Sequence, residues 1–191
     1  AELADSVFGS NGDPVNLRTQ MAACSHNQLT MNPYVGTTST GVSITNGVVE
    51  VQISTTVNGR DKGGIDTAIT NAATAMLGSL SGQFDHVMYC IPPGTSGSWI
   101  AYGAVNGWRT VYNDNWCTYP GGQLHEVGHN LGLAHSGESG NEYGDTTGMM
   151  GASSSSDDGA RACYNPAKSY KLGWYTSRHL EWTAGSVSWA G

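Results

Sequence analysis

Residues 125 to 135 read His-Glu-Val-Gly-His-Asn-Leu-Gly-Leu-Ala-His. Two histidines four apart, with a glutamate beside the first, form the H-E-x-x-H arrangement: two imidazoles hold a metal and the carboxylate acts on water. On a helix, His125 and His129 would lie about 40° apart around the axis and roughly 6 Å along it, on one face. Two neutral rings so placed can reach one zinc ion at about 2.0–2.1 Å each. His135 would lie roughly 15 Å along from His125 if the helix ran on. A third imidazole ligand therefore requires the helix to stop and the chain to turn back. Gly132 is placed for that, because glycine takes the left-handed conformation at a helix end without steric cost. Three histidines leave the fourth zinc position for water, the open arrangement of a catalytic site. Glu126 is then free to act as general base. With six His, six Glu and 27 Gly in 191 residues, the five fixed positions should coincide by chance on the order of once in 10⁵ such chains. Incidental histidines on a structural helix are set aside on that ground.

The full pattern H-E-x-x-H-x-x-G-x-x-H is that of the metzincin zinc proteases, which carry a methionine turn beneath the metal. Gly148-Met149-Met150-Gly151 lies at a suitable distance downstream. The stretches HEVGHNLGLAHSGE (residues 125 to 138), YGDTTGMMG (143 to 151) and YNPAKSYKLGW (164 to 174) resemble the gametolysin family. A weaker likeness runs through MAACSHNQLT (21 to 30) and FDHVMYCIPPG (84 to 94), so it covers most of the chain. The resemblance implies a zinc endopeptidase, with Met150 as the turn methionine and Met149 as the alternative. Some members open the zinc motif with Gln, whereas this chain has His125. The tyrosine ligand that some metzincins place two residues after the methionine is replaced by Ala152. Gametolysins are associated with extracellular-matrix glycoproteins, which by analogy makes such a glycoprotein, or another peptide or protein, the expected substrate. The rival reading is a catalytically silent, zinc-stabilised extracellular binding domain; the intact Glu126 favours the enzyme.

The chain is long enough for one ordinary domain with a sizeable core. Charge is sparse, 12% of residues, with a formal net of −7. No Lys/Arg cluster exists to neutralise phosphates, which argues against nucleic acid. No apolar run approaches the roughly 18 residues of a membrane span. The chain opens without a basic region followed by an apolar stretch, so the expectation is a mature form from which a signal peptide has been removed. Cys24, Cys90, Cys117 and Cys163 are an even, widely spaced set with no C-x-x-C pair. Two disulfides and a secreted, extracellular location are expected, with all three pairings open. Asp157-Asp158, Asp145 and Glu142 have the chemistry of calcium ligands; a solvated acidic loop is the preferred reading.

The elements that must position these residues follow from capping and periodicity. Asp13-Pro14 predicts a helix running to about Cys24, and the apolar spacing from Ile65 to Leu80 predicts one over residues 64 to 80. Gln28 to Met31, Val48 to Ser54, Val87 to Ile91, Trp99 to Val105 and Trp108 to Tyr112 read as strands. The metal helix follows Pro120-Gly121-Gly122, and Asn165-Pro166 opens a last helix that Gly173 ends. Residues 136 to 160 read as loop and the tail with Trp182 and Trp189 as short strand and coil. The fold class is α/β in the α+β sense: a metzincin-type mixed twisted sheet with helices, its zinc cleft lying between a larger N-terminal part (residues 1 to 135) and a smaller C-terminal part (136 to 191). Residues 1 to 12 show no opening strand. Either Val48 to Ser54 takes that place or the strand lies upstream of residue 1.

Overall fold

A computed structural model describes residues 2–151 and 162–179. Its sheet has the order β3-β5-β4. β3 (Val87–Ile91) and β5 (Arg109–Asn113) run parallel, with Val87 opposite Arg109, while β4 (Ala101–Gly103) pairs antiparallel with β5 as an edge. A separate two-residue hairpin joins β1 (Gly36–Thr37) to β2 (Ser43–Ile44). Five helices accompany the strands among the described residues: α1 (Glu2–Phe8), α2 (Leu17–Cys24), α3 (Lys62–Leu77), α4 (Pro120–Asn130) and α5 (Pro166–Lys171). The class is α+β.

Alternation along the strands divides the core in two. Tyr89, Ile91 and Val111 pack with Ile65, Ala73 and Leu77 of α3. The second cluster lies around α4, where Leu124, Val127 and Leu133 meet Leu17 and Met21 of α2, together with Met150, Tyr164 and Trp174. This second cluster therefore joins residues from both sides of His135. The chain carries two disulfides, as the even cysteine count led us to expect, and one of them lies in this second cluster. Cys24–Cys163 ties α2 to the segment before α5, and Cys90–Cys117 ties β3 to the 3-10 turn Asp114–Thr118 that leads into α4.

Several local expectations are corrected. α2 begins at Leu17, after Asn16, and not at Asp13-Pro14. Asn16 Oδ1 accepts the Thr19 N–H at 3.0 Å and Thr19 Oγ1 accepts the Asn16 N–H at 3.3 Å. This reciprocal box satisfies two orphan donors, and the Asp13 carboxylate instead closes a turn by accepting from Val15 N–H at 2.8 Å. α3 starts at Lys62 because Asp61 caps Gly64 N–H, and it ends where Gly78 takes φ +85°.

Val48 to Ser54 forms no ladder. Val49, Val51 and Ile53 do pack against the α3 cluster while Glu50, Gln52 and Ser54 stay exposed. Periodicity reported burial of one face, not pairing. Gln28 to Met31 is likewise no strand, because Leu29 N–H is spent on Ser25 Oγ at 2.9 Å as the chain leaves α2. The strand expected over Trp99 to Val105 shrinks to Ala101–Gly103, ended by a turn in which Gly107 N–H donates to Ala104 O. Residues 2 to 8 are helical, and no strand precedes α2 among the described residues. Asp157-Asp158, the loop at Ser153 to Ser156, Ala152 and the tail with Trp182 and Trp189 lie outside the described residues.

Candidate metal centre

α4 carries the first two histidines. Pro120 occupies its first turn, where a missing N–H costs nothing. The helix is buried from Pro120 to His129, so its close contacts must be made by small residues. Gly128 is the tightest: a Cβ there would lie 2.4 Å from Met150 Sδ and 3.0 Å from the Tyr164 ring. The second variable position of H-E-x-x-H must be glycine here, a requirement the motif did not disclose.

The helix ends in a complete Schellman motif. Gly132 takes φ +87°, its N–H donates to His129 O at 2.9 Å, and Leu133 N–H reaches back to Gly128 O at 3.0 Å. That turn reverses the chain, as a third ligand on one metal would require. His129 Nε2 and His135 Nε2 come within 3.1 Å. Two ligands on one tetrahedral zinc, at about 2.05 Å each, stand about 3.3 Å apart. Among the described residues, His125, His129 and His135 are the group of metal-binding side chains whose ligand atoms converge, all within 4.8 Å of one another.

The outward nitrogens explain the convergence. His125 Nδ1 donates to Met149 O at 2.6 Å and His129 Nδ1 to Leu133 O at 2.8 Å. A carbonyl can only accept, so each Nδ1 carries the proton and each Nε2 keeps its lone pair. His135 Nδ1 meets the Glu142 carboxylate in the same way. Burial pushes His125 down to about 4 and lowers His129 too. Both rings are thus held neutral, the form a metal takes. The residues present fit a zinc ion.

Burial raises the Glu126 carboxyl to about 7, opposed by the N–H of Gly103 on edge strand β4. Gly103 can approach because it has no side chain; a Cβ there would lie 2.8 Å from Glu126 O.

Below the histidines, Gly148 to Gly151 forms a tight turn with Gly151 N–H on Gly148 O at 3.0 Å. Met150 is fully buried against Gly128, whereas Met149 contributes its main chain. Its carbonyl holds His125, and its N–H donates to Cys163 O at 3.0 Å. Lys168 and Lys171 of α5 donate to Ala134 O and Gly132 O at 2.6 and 2.7 Å, clamping the reversed segment. Their spacing of three, which puts both on one face of a helix, is the sequence signal for this clamp.

Tyr164 donates to Leu124 O at 2.8 Å, and the Tyr143 ring lies 4.2 Å from that of His135. Of the calcium candidates, Glu142 and Asp145 lie among the described residues, and both are engaged by protein groups. Glu142 serves His135, and Asp145 accepts from Thr147 N–H and Asn165 Nδ2.

The Autolysin of Chlamydomonas reinhardtii is 33% identical over 96 residues, covering 46% of this chain. That match spans only 14% of the relative's own length. No solved structure matches the chain. The sequence model of the gametolysin peptidase M11 family matches residues 2–188. With nearly its whole length inside that match, the chain belongs to the gametolysin (M11) family of peptidases.

Proposed function

We propose that this chain is a secreted zinc endopeptidase of the metzincin kind, with His125, His129 and His135 as the ligands and Glu126 as the general base. The observation that carries this reading is the set of three imidazoles whose Nδ1 atoms are all tied to oxygens, leaving the Nε2 atoms to converge. Bound zinc supplies Lewis acidity that acidifies water and polarises a carbonyl.

Glu126 accepts a proton from the attacking water and delivers it to the leaving amine. Burial raises its carboxyl to about 7 in the metal-free chain, and a bound cation beside it would favour the carboxylate, the form that accepts a proton. β4 is one of the two edges of the three-stranded sheet, and its Gly103 links it directly to Glu126. An extended peptide adding to that edge would bring its backbone to the carboxylate. Met150 forms an apolar floor with no bond to the metal. The division into parts 1 to 135 and 136 to 191 belongs to the same proposal, as does a protein substrate of the extracellular matrix. The two disulfides support an oxidising location, and no helix among the described residues is long and apolar enough to cross a membrane.

The test is cleavage of a mixed peptide library by the purified chain, with a chelator and after zinc is restored. Internal cleavage that the chelator abolishes and zinc restores is expected. Cleavage indifferent to the chelator would remove the metal from the reaction. Zinc bound at one per chain with no cleavage of any peptide would leave the binding-domain reading.

A further inference from the structure

The three imidazoles differ in what holds them. His125 and His129 stand on one buried helix, and each rests on a main-chain carbonyl. His135 has no helix beneath it, and 22% of its side chain is exposed. It is also the one ring whose Nδ1 is held by a side chain, that of Glu142.

The chain goes to some length to bring that carboxylate back. Glu138 and Asn141 exchange main-chain hydrogen bonds at 3.0 and 2.9 Å around Ser139 (φ +52°) and Gly140 (φ +81°). Two successive left-handed residues make the tight hairpin turn. Asp145 N–H closes the base on Ser136 O at 3.1 Å. Gly144 leaves no room for a side chain, since a Cβ there would lie 2.7 Å from Glu138 O. The excursion sets Glu142 and Tyr143 side by side over His135, the carboxylate on Nδ1 and the tyrosine ring 4.2 Å from the imidazole.

We propose that Glu142 is the positioning residue of the metal centre: its carboxylate fixes His135 in the tautomer and orientation that turn Nε2 toward the metal, while Tyr143 braces the ring. The inference rests on the metal-centre reading above and deepens it. Partners of this kind typically contribute about 10–100-fold to metal affinity. Their effect on folding should be small here, because the Glu142 side chain is 69% exposed and exposed ion pairs add little stability. The contact is therefore felt at the metal.

The experiment is zinc affinity of the metal-stripped full chain, by competition with a chromophoric chelator, alongside thermal unfolding without metal. Glu142→Ala should weaken zinc binding by about 10–100-fold with the metal-free melting temperature unchanged. Glu142→Gln, which keeps an acceptor and loses the charge, should fall between Ala and wild type. Glu138→Ala removes the same charge from the same hairpin and should bind zinc like wild type. Wild-type affinity in Glu142→Ala would overturn the inference and leave the metal centre standing. So would an equal loss in Glu138→Ala, which would make the effect one of overall charge, or a matching loss of metal-free stability, which would make Glu142 a structural residue. Failure of the wild type itself to bind zinc would remove the metal centre, and this inference with it.

Discussion

Gly128→Ala would test the packing that aligns the histidines. Alanine is the better helix former by about 0.8–1.0 kcal/mol, so at an exposed helical site the change would stabilise. Here the new methyl would sit 2.4 Å from Met150 Sδ and 3.0 Å from the Tyr164 ring. Neither neighbour can retreat easily. Met150 is fully buried and Tyr164 is 3% exposed, with the Tyr164 hydroxyl fixed on Leu124 O at 2.8 Å. Overpacking of this kind costs about 1–3 kcal/mol, and a contact this short belongs at the upper end. After the helix gain, a net loss of about 1–2 kcal/mol is expected, or roughly 2–8 °C in melting temperature for a domain of this size. Zinc affinity should fall as well, because the strain enters one residue before His129. The assay is thermal unfolding of the metal-free protein, with zinc competition in parallel. A double-mutant cycle with Met150→Ala should be less than additive, since removing the methionine makes room for the methyl. A Gly128→Ala chain as stable as wild type, or strictly additive with Met150→Ala, would refute the reasoning.

Three further predictions concern the cross-links and the Glu126 carboxyl. Denatured, unreduced protein should show no free thiol on titration, and replacing Cys24 and Cys163 by Ala should lower zinc affinity as well as stability, because Cys163 O holds the Met149 N–H and Met149 O holds His125; four reactive thiols would contradict the first, and unchanged affinity the second. In the metal-free protein, Glu126 titrates near 7 by burial, above its unfolded value. Wild type should therefore match Glu126→Gln at acidic pH and lose stability relative to it as pH rises through 7, by up to about 3 kcal/mol. Urea unfolding at pH 4 and pH 8 measures this, and an identical difference at both pH values would contradict it.

The parts of this site that were legible in the sequence are those fixed by local geometry. The spacing of His125 and His129, the reversal at Gly132 and the cap-plus-proline start at Asn165-Pro166 each depend on a few neighbouring residues. Asp13-Pro14 has the form of a helix start, but the helix begins only after Asn16, where the reciprocal box with Thr19 satisfies two donors. Alternation from Val48 to Ser54 reported a half-buried face but carried no information about a ladder partner. The cysteine pairing was closed to sequence because it depends on α2 meeting the segment before α5, 139 residues away. Glu142 was read only as an acidic loop residue or calcium candidate, since its approach to His135 exists only after the hairpin folds back. Met149 and Met150 were indistinguishable by type. The structure separates them by what they offer, a carbonyl to His125 from Met149 and a side chain against Gly128 from Met150.

The central claim is that Glu126 performs proton transfer beside a zinc held by three histidines, and one paired measurement addresses it: zinc content and peptide cleavage in wild type and Glu126→Gln. The amide is nearly isosteric and keeps hydrogen bonding, so zinc should remain at one per chain. It cannot take a proton from water, and cleavage should fall by at least the roughly 10²–10⁴-fold that general-base catalysis supplies. Equal cleavage by the two proteins, with zinc bound in both, would contradict the account.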